Sequence, residues 1–160
     1  MGKLIYITGL SGSGKTTIAK ELQKQIDKSI LLDGDEIRSN INCDLGYDRQ
    51  SKIENIRRNN ALIKLLYDQG FTIIAAFMAS IKEERDKIFD LCPNYVAIQL
   101  ITPLEICIQR DPKGLYKLNL NNFAGLNSKY DYLINSDLLI DTSKMDLEKT
   151  INYILDYIPN

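Results

Sequence analysis

One short segment restricts the fold of this chain more than any other: residues 9–16 read Gly-Leu-Ser-Gly-Ser-Gly-Lys-Thr. The apolar run Lys3–Thr8 precedes the segment, and Ile18, Leu22 and Ile26 follow it at the spacing of one helical face. A glycine-rich turn that leads from a buried strand into a helix is typical of a phosphate-binding loop. Sheets that carry such a loop are parallel, and they bind ligands beyond the carboxyl ends of their strands.

The chemistry of a nucleoside triphosphate accounts for the residue types in this segment, which we call the phosphate loop. Glycines let the backbone turn its N–H groups toward phosphate oxygens, and the following helix adds a favourable dipole. The lysine places a cation on the β- and γ-phosphates, and the next hydroxyl can bind Mg²⁺. The residues predicted to bind ATP are Gly9, Ser11, Gly12, Ser13, Gly14, Lys15, Thr16 and Thr17, with Lys15 also catalytic.

Strand and helix patterns alternate along the rest of the chain. Further strands are predicted at 30–32, 71–77, 95–101 and 138–141, and helices at 15–26, 52–68, 82–91, 103–110 and 147–157. Continuously apolar strands are typical of a parallel sheet covered on both faces. The sequence therefore predicts a three-layer α/β fold, a five-stranded parallel sheet with helices on both faces, as one domain over residues 1–160. Residues 111–132 lack periodicity and predict a mobile lid.

The composition argues against several classes of function. A net charge of −1 provides no overall field for nucleic acid or an anionic membrane, and no apolar run approaches the roughly 18 residues of a membrane helix. The chain contains no histidine, so a general base must be a carboxylate, lysine, tyrosine or cysteine. Three cysteines without metal-site spacing, and no evident signal peptide, lead us to expect a cytoplasmic protein.

A second polar cluster follows the second predicted strand, at the same sheet edge as the phosphate loop. Asp33 and Asp35 flank a glycine, and Arg38 lies about one helical turn further on. Transfer to a hydroxyl needs a base, metal ligands and a cation for an anionic acceptor. The predicted Mg²⁺ ligands are Thr16, Asp33 and Asp35, and either aspartate could be the base. A structural alternative is an Asp-Gly turn in which Asp35 caps a helix.

A phosphate loop also occurs in GTPase switches, so the rest of the sequence must separate the two classes. The Asn-Lys-x-Asp motif of guanine recognition is absent, and residues 111–114, Asp-Pro-Lys-Gly, follow a predicted helix rather than a strand end. The predicted function is therefore an ATP-dependent kinase. A GTPase-type switch and a non-catalytic nucleotide-binding regulator are the remote alternatives.

Beyond the phosphate loop, residues 9–131 resemble the adenylylsulfate kinases, which phosphorylate the ribose 3′-hydroxyl of adenosine 5′-phosphosulfate. The matching segments are GLSGSGKTTIA (9–19), LDGDEIR (32–38), DLGY (44–47), ENIRR (54–58), AAFMAS (75–80), TPLEIC (102–107), RDPKGLYK (110–117) and NFAGLNSKYD (122–131). Together they are far more specific than a phosphate loop alone. The resemblance implies a kinase of the same fold, with Mg²⁺ as cofactor and a small nucleotide as acceptor.

The resemblance also implies roles for individual residues. Asp35 resembles the acid that accepts the hydroxyl proton or holds Mg²⁺, and Arg110 the residue beside the ATP adenine. The acceptor-binding positions are Asp35, Arg38, Tyr47, Lys52, Asn55, Phe77, Lys113 and Phe123. Among these, Tyr47 and Phe123 correspond to the aromatic pair around the acceptor base, and Lys113, with Lys117, to basic lid residues. Family members are commonly homodimers, so we expect a homodimer here.

Several departures from the family pattern lie on the acceptor side. Ala79 stands where some members have a serine described as a phosphoserine intermediate, which favours direct in-line transfer. Lys52 replaces an arginine, Tyr47 a phenylalanine and Ala124 a threonine, and the lid is shorter. Losing a planar guanidinium removes a bidentate, stacking group. These changes favour a different acceptor, cytidine diphosphoramidate, which a related branch of the family phosphorylates in capsule decoration; adenylylsulfate is the alternative.

The phosphate loop makes the first prediction. Lys15→Ala removes a charge-assisted contact to the β- and γ-phosphates, so kcat/KM for ATP should fall about a hundredfold or more, about 3 kcal/mol. Lys24→Ala removes a charge from the same predicted helix and serves as the matched control. Steady-state ADP release measures both variants, and near-native turnover by Lys15→Ala would contradict the assignment.

Overall fold

The computed structural model describes residues 2–118 and 120–158, so Met1, Asn119, Pro159 and Asn160 of the expected domain and lid lie outside the described residues. The strands are β1 (Lys3–Thr8), β2 (Ser29–Asp33), β3 (Thr72–Phe77), β4 (Tyr95–Leu100) and β5 (Leu138–Ile140). They pair in parallel in the order β2-β3-β1-β4-β5. The predicted five-stranded parallel α/β sheet is confirmed.

Helices connect the strands. Within the described residues they are α1 (Lys15–Gln25), α2 (Gly34–Asn40), α3 (Arg49–Asp68), α4 (Lys82–Arg85), α5 (Lys87–Leu91), α6 (Leu104–Arg110) and α7 (Leu147–Tyr157), with a 3₁₀ turn at Leu115–Leu118. None of them is long and apolar enough to cross a membrane.

Alternate side chains of the central strand β1 divide the core between the two faces of the sheet. Leu4 and Tyr6 pack in one buried cluster with side chains of α3 and α5. Ile5 and Ile7 pack in a second cluster with side chains of α1 and α7. Because successive strand residues point to opposite faces, a continuously apolar β1 needs cover on both sides. The three-layer arrangement follows from that requirement.

Parallel pairing brings the carboxyl ends of the central strands together. The register aligns Thr8 at the end of β1 with Phe77 at the end of β3, and Asp33 at the end of β2 with Ala76. The phosphate loop therefore emerges beside the Asp33–Asp35 segment and the chain that follows β3. This edge is where ligands bind in sheets of this type.

Two helices differ from the sequence expectation near this edge. The segment 34–40 forms α2, which the apolar pattern did not reveal, and its N-cap is Asp33 rather than Asp35. The Asp33 Oδ1 atom accepts a hydrogen bond from the Asp35 N–H at 2.9 Å. Helix α3 begins at Arg49, before the expected start at 52, because Asp48 caps it by accepting from the Ser51 N–H at 3.0 Å.

The helix expected over 82–91 is interrupted at Asp86 and forms two short helices. The break accompanies an inward-pointing Arg85, whose side chain is fully buried. Its guanidinium donates to the carbonyls of Ala79, Asp131 and Tyr132 and to the Asp86 carboxylate. A buried charge needs such partners. The interruption thus satisfies Arg85 while Ile88 still packs in the core.

The segment 111–132, expected to be wholly irregular, has two different parts. Its first part contains the 3₁₀ turn, and its last part is anchored by buried polar contacts. The Tyr130 hydroxyl lies 2.9 Å from the Thr8 hydroxyl and accepts from Gln99 Nε2 at 3.3 Å. Gln99 Oε1 in turn accepts from the Leu133 N–H at 2.7 Å. The C-terminal part of the segment is therefore fixed to strands β1 and β4.

The Arg85 network gives a stability prediction. Arg85→Met fills much of the same volume but leaves buried carbonyls without donors, so it should lower the free energy of unfolding by about 2–4 kcal/mol. Lys82→Met is the matched control, because Lys82 pairs with the same Asp86 carboxylate at the surface and should contribute less than about 1 kcal/mol. Urea denaturation followed by circular dichroism measures both. Equal losses in the two variants would contradict the anchoring role.

Candidate active site

A cleft of about 1090 Å³ opens at the carboxyl edge of the sheet. Of the residues predicted for the site, Ser11, Gly12, Gly14, Lys15, Thr16, Thr17, Asp33, Asp35, Arg38, Tyr47, Lys52, Asn55, Phe77, Arg110, Lys113 and Phe123 line it. The structure thus brings the predicted acceptor-binding residues and all of the predicted ATP-binding residues except Gly9 and Ser13 into one continuous cavity. Lys117 is exposed and is not among the lining residues.

Gly9 and Ser13 are buried parts of the phosphate loop and are not among the residues that line the cleft. A Cβ atom on Gly9 would lie 2.7 Å from the Ser13 hydroxyl and 2.9 Å from Leu100 Cβ. Gly12 has a positive φ of 78°, and a Cβ there would lie 2.6 Å from the Cys107 carbonyl oxygen. The loop therefore packs too closely against β4 and α6 to admit side chains at these glycines.

Lys15 is held by the phosphate loop itself. Its Nζ donates to the carbonyls of Gly9 at 2.8 Å and Leu10 at 2.7 Å. Burial, together with the smaller effect of the nearby Lys113 charge, lowers the pKa of Lys15 to about 7. A bound phosphate would favour the charged amine. Lys15 is thus positioned to exchange carbonyl acceptors for phosphate oxygens.

Two of the three residues predicted to hold a metal, Thr16 and Asp33, are hydrogen-bonded to each other. Thr16 Oγ1 donates to Asp33 Oδ2 at 2.6 Å, and Asp33 is buried whereas Asp35 is exposed. No group of three or more acidic, cysteine or histidine residues within residues 2–118 and 120–158 could hold a metal by itself. Mg²⁺ commonly uses one or two carboxylates and completes its shell with phosphates and water. The hydroxyl and carboxylate present here fit that ion.

A lysine of the lid covers the exposed carboxylate. Lys113 Nζ forms an ion pair with Asp35 Oδ2, and both side chains are about half exposed. The pair joins the segment after α6 to the N-terminus of α2 across the cleft. Exposed ion pairs contribute little to stability, so a ligand can separate the two groups at small cost.

Aromatic and basic side chains form the other end of the cleft. The Arg38 guanidinium lies 4.4 Å from the centre of the Tyr47 ring, a cation–π distance. Tyr47 is 67% exposed, whereas Phe123 is 8% exposed. Lys52 donates to the Asn122 carbonyl, next to Phe123. The Phe123 ring is therefore held in place by surrounding protein, whereas most of the Tyr47 ring is exposed to solvent.

An amide cluster near this end contains Asn55, which the sequence analysis predicted, and Asn42 and Asn59, which it missed. The buried Asn42 donates through Nδ2 to Asn55 Oδ1 at 3.0 Å and to Asn59 Oδ1 at 3.1 Å. Asn55 and Asn59 line the cleft. With their oxygens engaged, these amides offer N–H donors to a ligand. Their positions on adjacent turns of α3 were the available signal, since Asn59 lies four residues after Asn55.

Thr142 is another residue that the sequence analysis missed. Its hydroxyl donates to the Ser13 carbonyl at 2.8 Å and accepts from Arg110 Nη1 at 2.7 Å, while Arg110 Nη2 donates to the Thr142 carbonyl at 2.9 Å. Arg110 is thereby held against the phosphate loop. The position of Thr142, just beyond the carboxyl end of β5, was the available signal.

The fold and this cleft define a phosphate-loop kinase, and comparisons with known proteins give its family. The family model for adenylylsulphate kinase matches residues 1–141. An adenylyl-sulfate kinase from Clostridium kluyveri is 39% identical over 166 residues, covering 98% of this chain and 83% of the relative. One from Shewanella sp. strain ANA-3 is also 39% identical, over 97% and 80% of the two chains.

Solved structures agree with the sequence comparison. The Mycobacterium tuberculosis APS kinase in complex with AMPPNP and APS is 32% identical, with a TM-score of 0.85 over 97% of this chain and 96% of that one. The chain belongs to the adenylylsulfate kinase family. It is therefore an ATP-dependent phosphotransferase that acts on a hydroxyl group, and neither the GTPase-switch nor the regulator interpretation applies.

The lowered pKa of Lys15 predicts proton uptake on nucleotide binding. With a pKa of about 7, the amine is expected to be mostly neutral near pH 8 in the free protein. Phosphate contacts favour its charged form, so binding should take up about one proton. Nucleotide affinity should therefore fall as the pH rises through 7 and above. Calorimetric titration with AMPPNP and Mg²⁺ at pH 8, in buffers of different ionisation enthalpy, measures the uptake.

Lys15→Arg is the control for this measurement, because a guanidinium stays charged throughout this range and should bind without uptake. Lys113→Met removes the second cation, so it should raise the pKa of Lys15 and reduce the uptake. Binding by the native protein with no proton uptake at pH 8 would contradict the role given to Lys15.

Proposed function

We propose that this protein uses ATP and Mg²⁺ to phosphorylate the ribose 3′-hydroxyl of adenylylsulfate. The observation that carries the proposal is the 39% identity to an adenylyl-sulfate kinase over 98% of this chain. The similar structure bound to AMPPNP and APS also favours it. Cytidine diphosphoramidate, favoured by the sequence analysis, has no support from these relatives. The family's ordinary acceptor is the better assignment.

The ATP half of the site follows from the phosphate loop. The backbone N–H groups of residues 11–16 surround the β- and γ-phosphates, and Lys15 leaves the Gly9 and Leu10 carbonyls to bind them. Thr16 and Asp33 would hold Mg²⁺, which supplies charge neutralisation on the phosphates when bound. Arg110, held by Thr142, borders the nucleotide on the side of the base.

The acceptor half lies between Tyr47 and Phe123, whose rings can stack on a base. Such stacking tolerates different bases, so Arg38, Lys52 and the N–H donors of Asn55 must provide discrimination and anchor the anionic tail. Phe77 also lines the cleft. We call the part of the cleft formed by Tyr47 and Phe123 the acceptor wall. The acceptor 3′-hydroxyl would then point toward Asp35.

Direct in-line transfer accounts for the remaining residues. The Asp35 carboxylate accepts the proton of the 3′-hydroxyl as the O3′–phosphorus bond forms and the bond from the γ-phosphorus to the β,γ-bridging oxygen breaks. Lys113 pairs with Asp35 in the free protein, and separation of this pair frees the carboxylate to accept the proton. Lys113 is then available to the transferring phosphoryl group. Ala79 cannot carry a phosphoryl group, which agrees with a single transfer step.

The oligomeric state and the cellular location belong to the same proposal. We expect a homodimer because family members commonly form one, and a cytoplasmic location for the reasons given by the sequence; both stay predictions.

An acceptor comparison tests the proposed function. With saturating ATP and Mg²⁺, kcat/KM for adenylylsulfate should exceed that for cytidine diphosphoramidate by about tenfold or more, about 1.4 kcal/mol of transition-state preference. A coupled ADP-release assay at equal acceptor concentrations measures both. The opposite preference would overturn the acceptor assignment.

Asp35→Asn is the control in this assay, because it keeps the shape of the side chain but removes the base. It should lower kcat with adenylylsulfate while leaving ATP affinity nearly unchanged. An unchanged kcat would show that the observed ADP release does not depend on the proposed base.

A further inference from the structure

The last part of the lid packs directly on the phosphate loop. Leu10 belongs to a small buried cluster with Cys107, Ala124 and Tyr130. A Cβ atom on Gly125, whose φ is +86°, would lie 2.5 Å from Leu10 Cδ2. The positive φ favours glycine at this position. The two segments, more than a hundred residues apart in the chain, therefore share one packed interface.

Tyr116 contacts both the phosphate loop and the turn that carries Phe123. Its hydroxyl donates to the Ser11 carbonyl of the phosphate loop at 2.8 Å. Its ring meets the Phe123 ring edge to face, with centroids 4.9 Å apart and planes at 86°, a favourable aromatic geometry. One side chain thus joins the ATP-binding loop to the buried aromatic residue of the acceptor wall.

Phe123 is part of a compact turn, so a shift of its ring involves the whole turn. The Phe123 carbonyl accepts from the N–H groups of Leu126 at 3.2 Å and of Asn127 and Ser128 at 3.1 Å. Its own N–H donates to Asn127 Oδ1 at 2.7 Å. These amides give a direct experimental readout of the stability of the turn.

Nucleotide binding must disturb the loop at the place where Tyr116 is attached. Lys15 bonds the carbonyls of Gly9 and Leu10, immediately before Ser11. When Lys15 turns to the phosphates, these carbonyls lose their donor, and the N–H groups of the loop become ordered around the ligand. The Ser11 carbonyl belongs to the same backbone turn, so we expect it to respond to both changes.

We propose that Tyr116 is a positioning residue that couples occupancy of the ATP site to the placement of Phe123 in the acceptor wall. ATP binding fixes Ser11, the hydroxyl of Tyr116 follows, and its ring holds Phe123 for stacking on the acceptor base. The two substrates then bind with positive cooperativity, to which this one hydroxyl contributes. The part that concerns the acceptor rests on the proposed function.

Hydrogen exchange with nucleotide alone tests the coupling independently of the acceptor. AMPPNP with Mg²⁺ should slow exchange of the amides at 126–128 by about three- to tenfold in the native protein. Tyr116→Phe keeps the ring contact but removes the hydroxyl, and it should lose most of this slowing. Tyr132→Phe is the matched control, because Tyr132 lies in the same segment but its ring meets Tyr130 edge to face; it should behave as the native protein.

The second measurement is the affinity for adenylylsulfate with and without AMPPNP. AMPPNP should lower the dissociation constant of adenylylsulfate, and in Tyr116→Phe this enhancement should be about three- to tenfold smaller than in the native protein. The affinity for AMPPNP alone and the melting temperature should stay near native. A merely structural role would move the last two quantities instead. Equal nucleotide-induced slowing in Tyr116→Phe and native protein, or none in the native protein, would overturn the proposal. Failure of adenylylsulfate to bind would count against the acceptor assignment alone.

Discussion

A single buried carboxylate organises the catalytic edge of this protein. Asp33 accepts a hydrogen bond from Thr16 at the start of α1 with one oxygen, and caps α2 through the Asp35 N–H with the other. The phosphate loop and the proposed base are therefore fixed relative to each other by one side chain. Its own position comes from pairing of β2 with β3. Any displacement of Asp33 would move the proposed metal-binding oxygens and the proposed base together.

The lid is held by buried hydrogen bonds at one end and by an exposed ion pair at the other. The exposed pair costs less free energy to break than the buried hydrogen bonds do. Arg85 and Gln99 satisfy their polar atoms inside the protein, where breaking one contact leaves an unpaired group at high cost. The ion pair between Lys113 and Asp35 is half exposed and easily replaced by ligand contacts. A substrate can thus release one end of the lid while the other end keeps Phe123 in the acceptor wall.

Local sequence patterns account for much of the site. The phosphate loop, the position of Asp33 after a strand and the end of β3 at Phe77 all follow from strand and turn signals in short stretches of chain. The helix over 82–91 was predicted wrongly because its pattern contained no sign that Arg85 would be buried. The structural alternative in which Asp35 caps a helix also differs from the structure, where Asp33 caps α2. Both aspartates adjoin the same glycine, and only the backbone geometry distinguishes them.

The sequence alone predicts the α/β alternation, the phosphate loop and the family. The alternation depends on the regular spacing of apolar residues, and the other two depend on motifs of contiguous residues. Which distant side chains meet is a property of the folded molecule. Tyr116 reaches Ser11 across 105 residues and Thr142 reaches Ser13 across 129. Such contacts depend on how strands order in the sheet and how closely glycines let segments approach. No periodicity in a single chain encodes those distances, so they emerge only when the packed core brings the segments together.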